Sequence, residues 1–160
     1  MSEKEKVIAK SVQKKGVFDF EGLYKLCTKW LEDNGYFIQE GRNNEDKNGR
    51  IEKMIKWKNE KKITDYFKLI IKLKFTTDMK EVKSKENKEI NKGEVKLKFK
   101  GLLESDWSKE WEGRPFLKFF RDFYDKYLIK GRVDKYRQTV KEDVEEMANQ
   151  CRGFLGLKRR

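Results

Sequence analysis

Histidine is absent from this 160-residue chain, which removes the commonest metal ligand and the side chain best suited to moving protons near neutral pH. Cysteine is almost absent too. Cys27 and Cys151 are its two thiols. They lie on apolar stripes of expected helices, far apart in sequence, and read as small core residues of a reducing compartment rather than a disulfide or metal site. No metal or cofactor is expected. No stretch approaches the roughly 18 consecutive apolar residues of a membrane span, and the start, Met1-Ser2-Glu3-Lys4-Glu5-Lys6, lacks the apolar centre of a signal peptide. A cytoplasmic location is expected. The chain also lacks a phosphate-binding glycine loop, a nucleophile elbow, a paired-cysteine zinc pattern and a calcium loop, so the expectation is a protein that is not an enzyme. Asp19, Asp65, Glu94 and Asp106 are read as surface charge, none as catalytic.

What the sequence has is positive charge. Lys and Arg outnumber Asp and Glu by 40 to 28, a net charge of +12, and such a surface attracts phosphates or anionic headgroups. Lysine dominates this excess, and a chain rich in Lys, Glu, Asn and Ile also reflects an A/T-rich genome or adaptation to heat. Charged residues at 42% outweigh the hydrophobic set at 36%, a balance that leans toward disorder. The 13% of aromatics, regularly spaced, supply the large buried surfaces that disordered chains lack. The length suits a single domain over 1–160, with loose termini at 1–5 and 157–160.

Val7 to Val12 reads as a short strand, ended by Gly16 before a helix start at Asp19. Phe20, Leu23, Cys27, Trp30 and Leu31 recur at three and four, and Asn34-Gly35 supplies a left-handed stop. Tyr36 to Gln39 reads as a strand, and the apolar-free stretch Gly41 to Gly49 as a solvent loop. Ile51, Ile55 and Trp57 alternate imperfectly, with Lys53 breaking the series. Phe67, Leu69, Ile71, Leu73 and Phe75 alternate without a break, with Tyr66, Lys68, Ile70, Lys72 and Lys74 pointing the other way. Residues Lys80 to Lys92 form a polar, paired excursion turning near Glu86-Asn87-Lys88. Val95, Leu97 and Phe99 then oppose Glu94, Lys96, Lys98 and Lys100. Gly113-Arg114-Pro115 marks a helix entry, followed by an aromatic arc from Phe116 to Leu128 that Gly131 interrupts. A last helix carries Tyr136, Val140, Val144, Met147, Cys151 and Phe154. The fold class expected is α+β: an antiparallel sheet of about five or six strands, packed on one face by an N-terminal helix and two C-terminal helices, with the other face wet.

Lys15-Gly16 to Phe20, Asp65-Tyr66-Phe67-Lys68, Asn91-Lys92-Gly93-Glu94 and the Trp107 to Tyr127 aromatic run resemble a family of small uncharacterised, Lys/Glu-rich proteins of reduced-genome archaea. The resemblance spans nearly the whole chain and implies a cytoplasmic archaeal origin, with no activity to transfer. The order of elements is also similar to helix-grip folds, in which a curved antiparallel sheet wraps a long helix around an apolar cavity; the extra final helix departs from that pattern.

Three functional surfaces follow. Lys68, Lys72, Lys74, Lys96, Lys98 and Lys100 converge on one sheet face that can track the phosphates of RNA or another polyanion, as within a ribonucleoprotein; equally, such lysines solvate a sheet and discourage edge pairing. Tyr66 is the one outward aromatic among them, and Trp107 with Trp111 forms a pair that stacks on a ligand, contacts a protein partner or pins a connection to the core. The alternative to polyanion binding is an apolar-ligand carrier with a void beside Phe119 and Phe123, walled by Phe67, Leu69, Val95 and Leu97, or a structural subunit of a protein assembly.

Overall fold

The computed structural model describes residues 3–47, 50–83, 89–105, 107 and 130–157. Their order is β1 (Glu3–Phe18), α1 (Phe20–Asp33), β2 (Phe37–Lys47), β3 (Arg50–Lys62), β4 (Phe67–Lys83), β5 (Glu89–Ser105) and α2 (Lys130–Phe154). The strands form one sheet of five in the order β1-β5-β4-β3-β2, every neighbouring pair antiparallel. The chain is therefore α+β, with two helices among the described residues. The expected helix from Pro115 to Leu128, the turn at Glu86-Asn87-Lys88, and Asp106, Trp111, Phe119 and Phe123 lie outside the described residues.

The central strands form where apolar residues alternate. Their odd-numbered side chains face the helices, so Ile55, Phe75 and Leu97 lie side by side across β3, β4 and β5, as do Trp57, Leu73 and Phe99. The two edge strands are longer than their own apolar content predicts. β1 runs from Glu3 to Phe18 because it pairs with β5 from Glu3↔Ser105 to Phe18↔Asn91, interrupted by a bulge between Lys6 and Ile8. Residues 3–5, expected to be loose, belong to this ladder. The expected loop after Gly41 is instead β-structure as far as Lys47, paired with β3 down to Lys47↔Arg50. It lacks alternation, and backbone pairing to an established neighbour carries it. The polar excursion after Lys80 does pair, from Lys80↔Lys92 to Lys83↔Glu89.

Helix α1 starts where Asp19 caps it, its carboxylate accepting from the Gly22 amide at 3.0 Å. It stops at Asn34, where Gly35 takes a left-handed φ of +82° and Tyr36 N–H returns to the Leu31 carbonyl at 2.9 Å. Its apolar stripe of Phe20, Leu23, Cys27, Trp30 and Leu31 is buried. Phe20 meets Phe75 edge-on and Tyr24 meets Trp57 edge-on, placing α1 over β3 and β4. Helix α2 buries Val140, Val144, Met147, Ala148 and Cys151 over β1 and β5. Lys53, which broke the apolar series of β3, keeps its inward register and lies 5.1 Å from the Phe20 ring centre.

Two contacts tie α2 to the α1 side of the core. The Cys27 and Cys151 thiols touch at 3.4 Å, both buried and unbonded; a covalent pair would sit near 2.05 Å. The Cys27 thiol is pushed well up by the hydrogen bond to Cys151 and by burial. At the other contact Tyr36 donates to Asp143 at 2.7 Å. Burial, then this hydrogen bond, holds the phenol far above its usual range. The walls proposed for a carrier cavity, Phe67, Leu69, Val95 and Leu97, are buried in one cluster with Val140, Val144 and Met147. The void itself was expected beside Phe119 and Phe123, outside the described residues.

Gly101 decides how closely α2 approaches the sheet. A Cβ there would lie 2.8 Å from a methyl of Ile8 and 3.1–3.2 Å from methyls of Val144 and Val140. Branched side chains in a packed core yield little, so Gly101→Ala is expected to lower unfolding free energy by about 1–3 kcal/mol, read from urea midpoints. An unchanged midpoint would mean that α2 does not rest on β5 here.

Candidate functional site

A strand's side chains alternate strictly, so the register that stacks the core on one face fixes what meets on the other. On the outer face Lys72 lies between Lys58 and Lys100, and in the next row Lys74 lies between Lys56 and Lys98. Six lysines thus occupy two adjoining rows across β3, β4 and β5. Adjacent strands are about 4.8 Å apart. Ala9 and Ser11 of β1 continue the rows at one edge, Gln39 and Gly41 of β2 at the other.

No carboxylate stands in these rows. On β3, β4 and β5 the acids of the outer face sit beyond them: Glu52, Asp78 and Glu94 toward the β4–β5 turn, Glu60 and Glu104 toward the β3–β4 connection. Asp78 pairs with Arg50, and Glu94 accepts from Gln13. Glu60 bonds Lys58 at 3.1 Å and Lys68 at 3.0 Å, and Lys68 also reaches Glu104 at 3.4 Å. Burial alone would raise the Glu60 carboxyl, but the Lys68 and Lys58 bonds outweigh it and hold the group below its usual range. Glu40 of β2 is turned to the helix side, where it accepts from Tyr24 at 2.6 Å and from the Trp57 indole at 2.8 Å. Lys56, Lys72, Lys74, Lys98 and Lys100 have no ion pair among the described residues.

A groove of about 860 Å³ runs over these side chains, lined from β1 to β2 and including Lys6, Lys56, Lys58, Lys72, Lys74, Lys98 and Lys100. Lysine stems, Ala9 and Gly41 contribute apolar surface to its lining. The Lys72 ammonium is pushed below its usual pKa by desolvation, then by Lys4, Lys100 and Lys58. Bringing an anion into the groove relieves this repulsion.

Of the residues expected to bind polyanions, Lys72, Lys74, Lys98 and Lys100 come together, and Lys96 lies one row further, beside Thr76 and Gln13. Lys68 is corrected: its charge is consumed by Glu60 and Glu104. Lys56 and Lys58 were missed, although their alternation with Ile55 and Trp57 carried the signal; without the register they had no partners. Tyr66 is also corrected. It is 5% exposed and packs edge-on against Phe67 just before β4, so it offers no ring face to solvent. Nor is the outer face wet throughout, because Ile70 and Leu102, paired in register, are buried there. Trp107 lies beneath Lys62 at 4.6 Å and Lys68 at 5.6 Å, and its indole donates to the Thr64 carbonyl at 2.8 Å. It pins the β3–β4 connection. Comparison with protein-family models, with curated proteins and with solved structures gave no match.

Like charges directly opposite destabilise a sheet, and Lys72 has one on each side. Lys72→Gln is expected to raise unfolding free energy in low-salt buffer by roughly 0.2–1 kcal/mol, with the gain shrinking as sodium chloride screens the parent's repulsion. Destabilisation by this substitution at low salt would contradict the charge geometry.

Proposed function

We propose that this is a non-enzymatic binding protein that holds the phosphate backbone of RNA in the lysine groove. The observation that carries the reading is the double row of six lysines, five without an ion pair among the described residues, on a concave face. Selection for solubility alone favours interspersed charges of both signs, because stacked like charges cost stability. A bound phosphate chain offsets that cost by neutralising several ammonium groups at once and releasing its condensed counterions. Lysine acts here as a mobile point charge, which favours backbone affinity over base-by-base reading.

Replacing Lys72, Lys74, Lys98 and Lys100 together by glutamine is expected to weaken RNA binding and flatten the slope of log affinity against log salt by about 3 for a single strand. A control variant carries the same charge loss on the helices, Lys25, Lys29, Lys135 and Lys141 to glutamine, and is expected to bind nearly as the parent does. Circular dichroism checks that both remain folded. Equal losses in the two variants would reduce the groove to bulk charge, and no binding by the parent at low salt would remove the reading.

A further inference from the structure

Phe37 is the most exposed large hydrophobic residue among those described, at 67%. An isolated apolar side chain on a surface calls for no explanation. Its position does. On β2 it pairs with Glu60, which puts its ring on the groove face together with Gln39, two residues along the strand. Lys58 pairs with Gln39, so Phe37 and Lys58 are diagonal neighbours about 7–8 Å apart. An exposed aromatic therefore stands where the row Lys58, Lys72, Lys100 opens at the sheet edge.

Resting on the phosphate-binding reading, we infer that the groove takes single-stranded RNA and that Phe37 is the platform on which one of its bases stacks. Three features support this. β2 is the last strand of the sheet among the described residues, so a base can approach the ring from beyond the edge without meeting a further described strand. Glu60, the carboxylate beside Phe37, is bonded by Lys58 and Lys68 and does not confront an incoming phosphate as a bare charge. Base stacking also needs an exposed π-face, which an unpaired nucleotide has and a duplex keeps inside its own stack. From Phe37 the backbone would cross the strands, meeting Lys58, Lys72 and Lys100 in turn. Gln39, exposed at the β2 end of that row and two residues from the ring, offers an amide donor and acceptor to a ribose 2′-hydroxyl, the contact by which RNA would be preferred to DNA.

The test uses the intact chain, Phe37→Ala and Phe37→Trp. The probes are a fluorescein-labelled single-stranded RNA oligonucleotide, the DNA oligonucleotide of the same sequence, the corresponding RNA duplex and inorganic polyphosphate, which has charge without bases. The parent is expected to prefer the single-stranded RNA to both DNA and duplex. Phe37→Ala is expected to weaken RNA binding about tenfold, leaving polyphosphate affinity and the salt slope unchanged. Phe37→Trp is expected to retain binding, with indole emission beyond the parent's quenched by RNA and not by polyphosphate. If Phe37→Ala binds RNA as the parent does while polyphosphate still binds, the stacking platform is refuted and the lysine groove stands. Equal loss of RNA and polyphosphate would make Phe37 merely structural and also refute it. Equal binding of DNA would overturn the assignment to RNA. Failure of the parent to bind either RNA or polyphosphate at low salt would overturn the phosphate-binding reading and this inference with it.

Discussion

The register of β4 between β3 and β5 is the constraint on which the rest of this molecule depends. With a side-chain period of two, the alignment that places Phe75 between Ile55 and Leu97 in the core also places Lys74 between Lys56 and Lys98 outside. The next row repeats the arrangement. A slip by one residue would send the lysines inward and the aromatics outward, at a cost no surface contact could offset. The apolar face therefore selects the register, and the lysine cluster follows from it at some expense in repulsion.

That expense is bearable because the core face is continuous. α1 fills the space above β3 and β4 with Phe20, Leu23, Cys27 and Leu31, and α2 does the same above β1 and β5 with Val140, Val144, Met147 and Cys151. The cysteine contact joins the two helices, and the Tyr36–Asp143 bond ties α2 to the connection between α1 and β2. Gly101 lets α2 settle close to β5. Burial on this scale is worth about 1.5–3 kcal/mol for each large side chain, against at most about 1 kcal/mol for each unfavourable cross-strand pair. The balance leaves room for a face shaped by binding rather than by stability.

Local chemistry was legible from the chain. Asp19 as helix start, Asn34-Gly35 as stop, and the alternation from Phe67 to Phe75 and from Val95 to Phe99 all correspond to the structure, because each is set by neighbours in sequence. What the chain could not reveal was set by distant partners. β1 outside Val7 to Val12 and the far half of β2 are strands through pairing with β5 and β3 rather than through their own pattern. Lys56 and Lys58 joined the site only once the β3–β4 register brought them opposite Lys74 and Lys72, and the same long-range geometry took Lys68 out by setting it between Glu60 and Glu104. Tyr66 failed as an outward aromatic because it precedes the strand whose alternation had been extended to include it. Phe37 gave no signal, since a single aromatic near a strand start is ordinarily core.

The central claim is that one face of the sheet, and not the charge of the whole molecule, engages the phosphate backbone. Lysine-selective ¹³C labelling with titration of single-stranded RNA, observed at the ε-methylene signals, tests it directly. The account predicts that the shifts concentrate on Lys56, Lys58, Lys72, Lys74, Lys98 and Lys100. Shifts on the helix lysines Lys25, Lys29, Lys135 and Lys141, with the groove lysines unmoved, would contradict it.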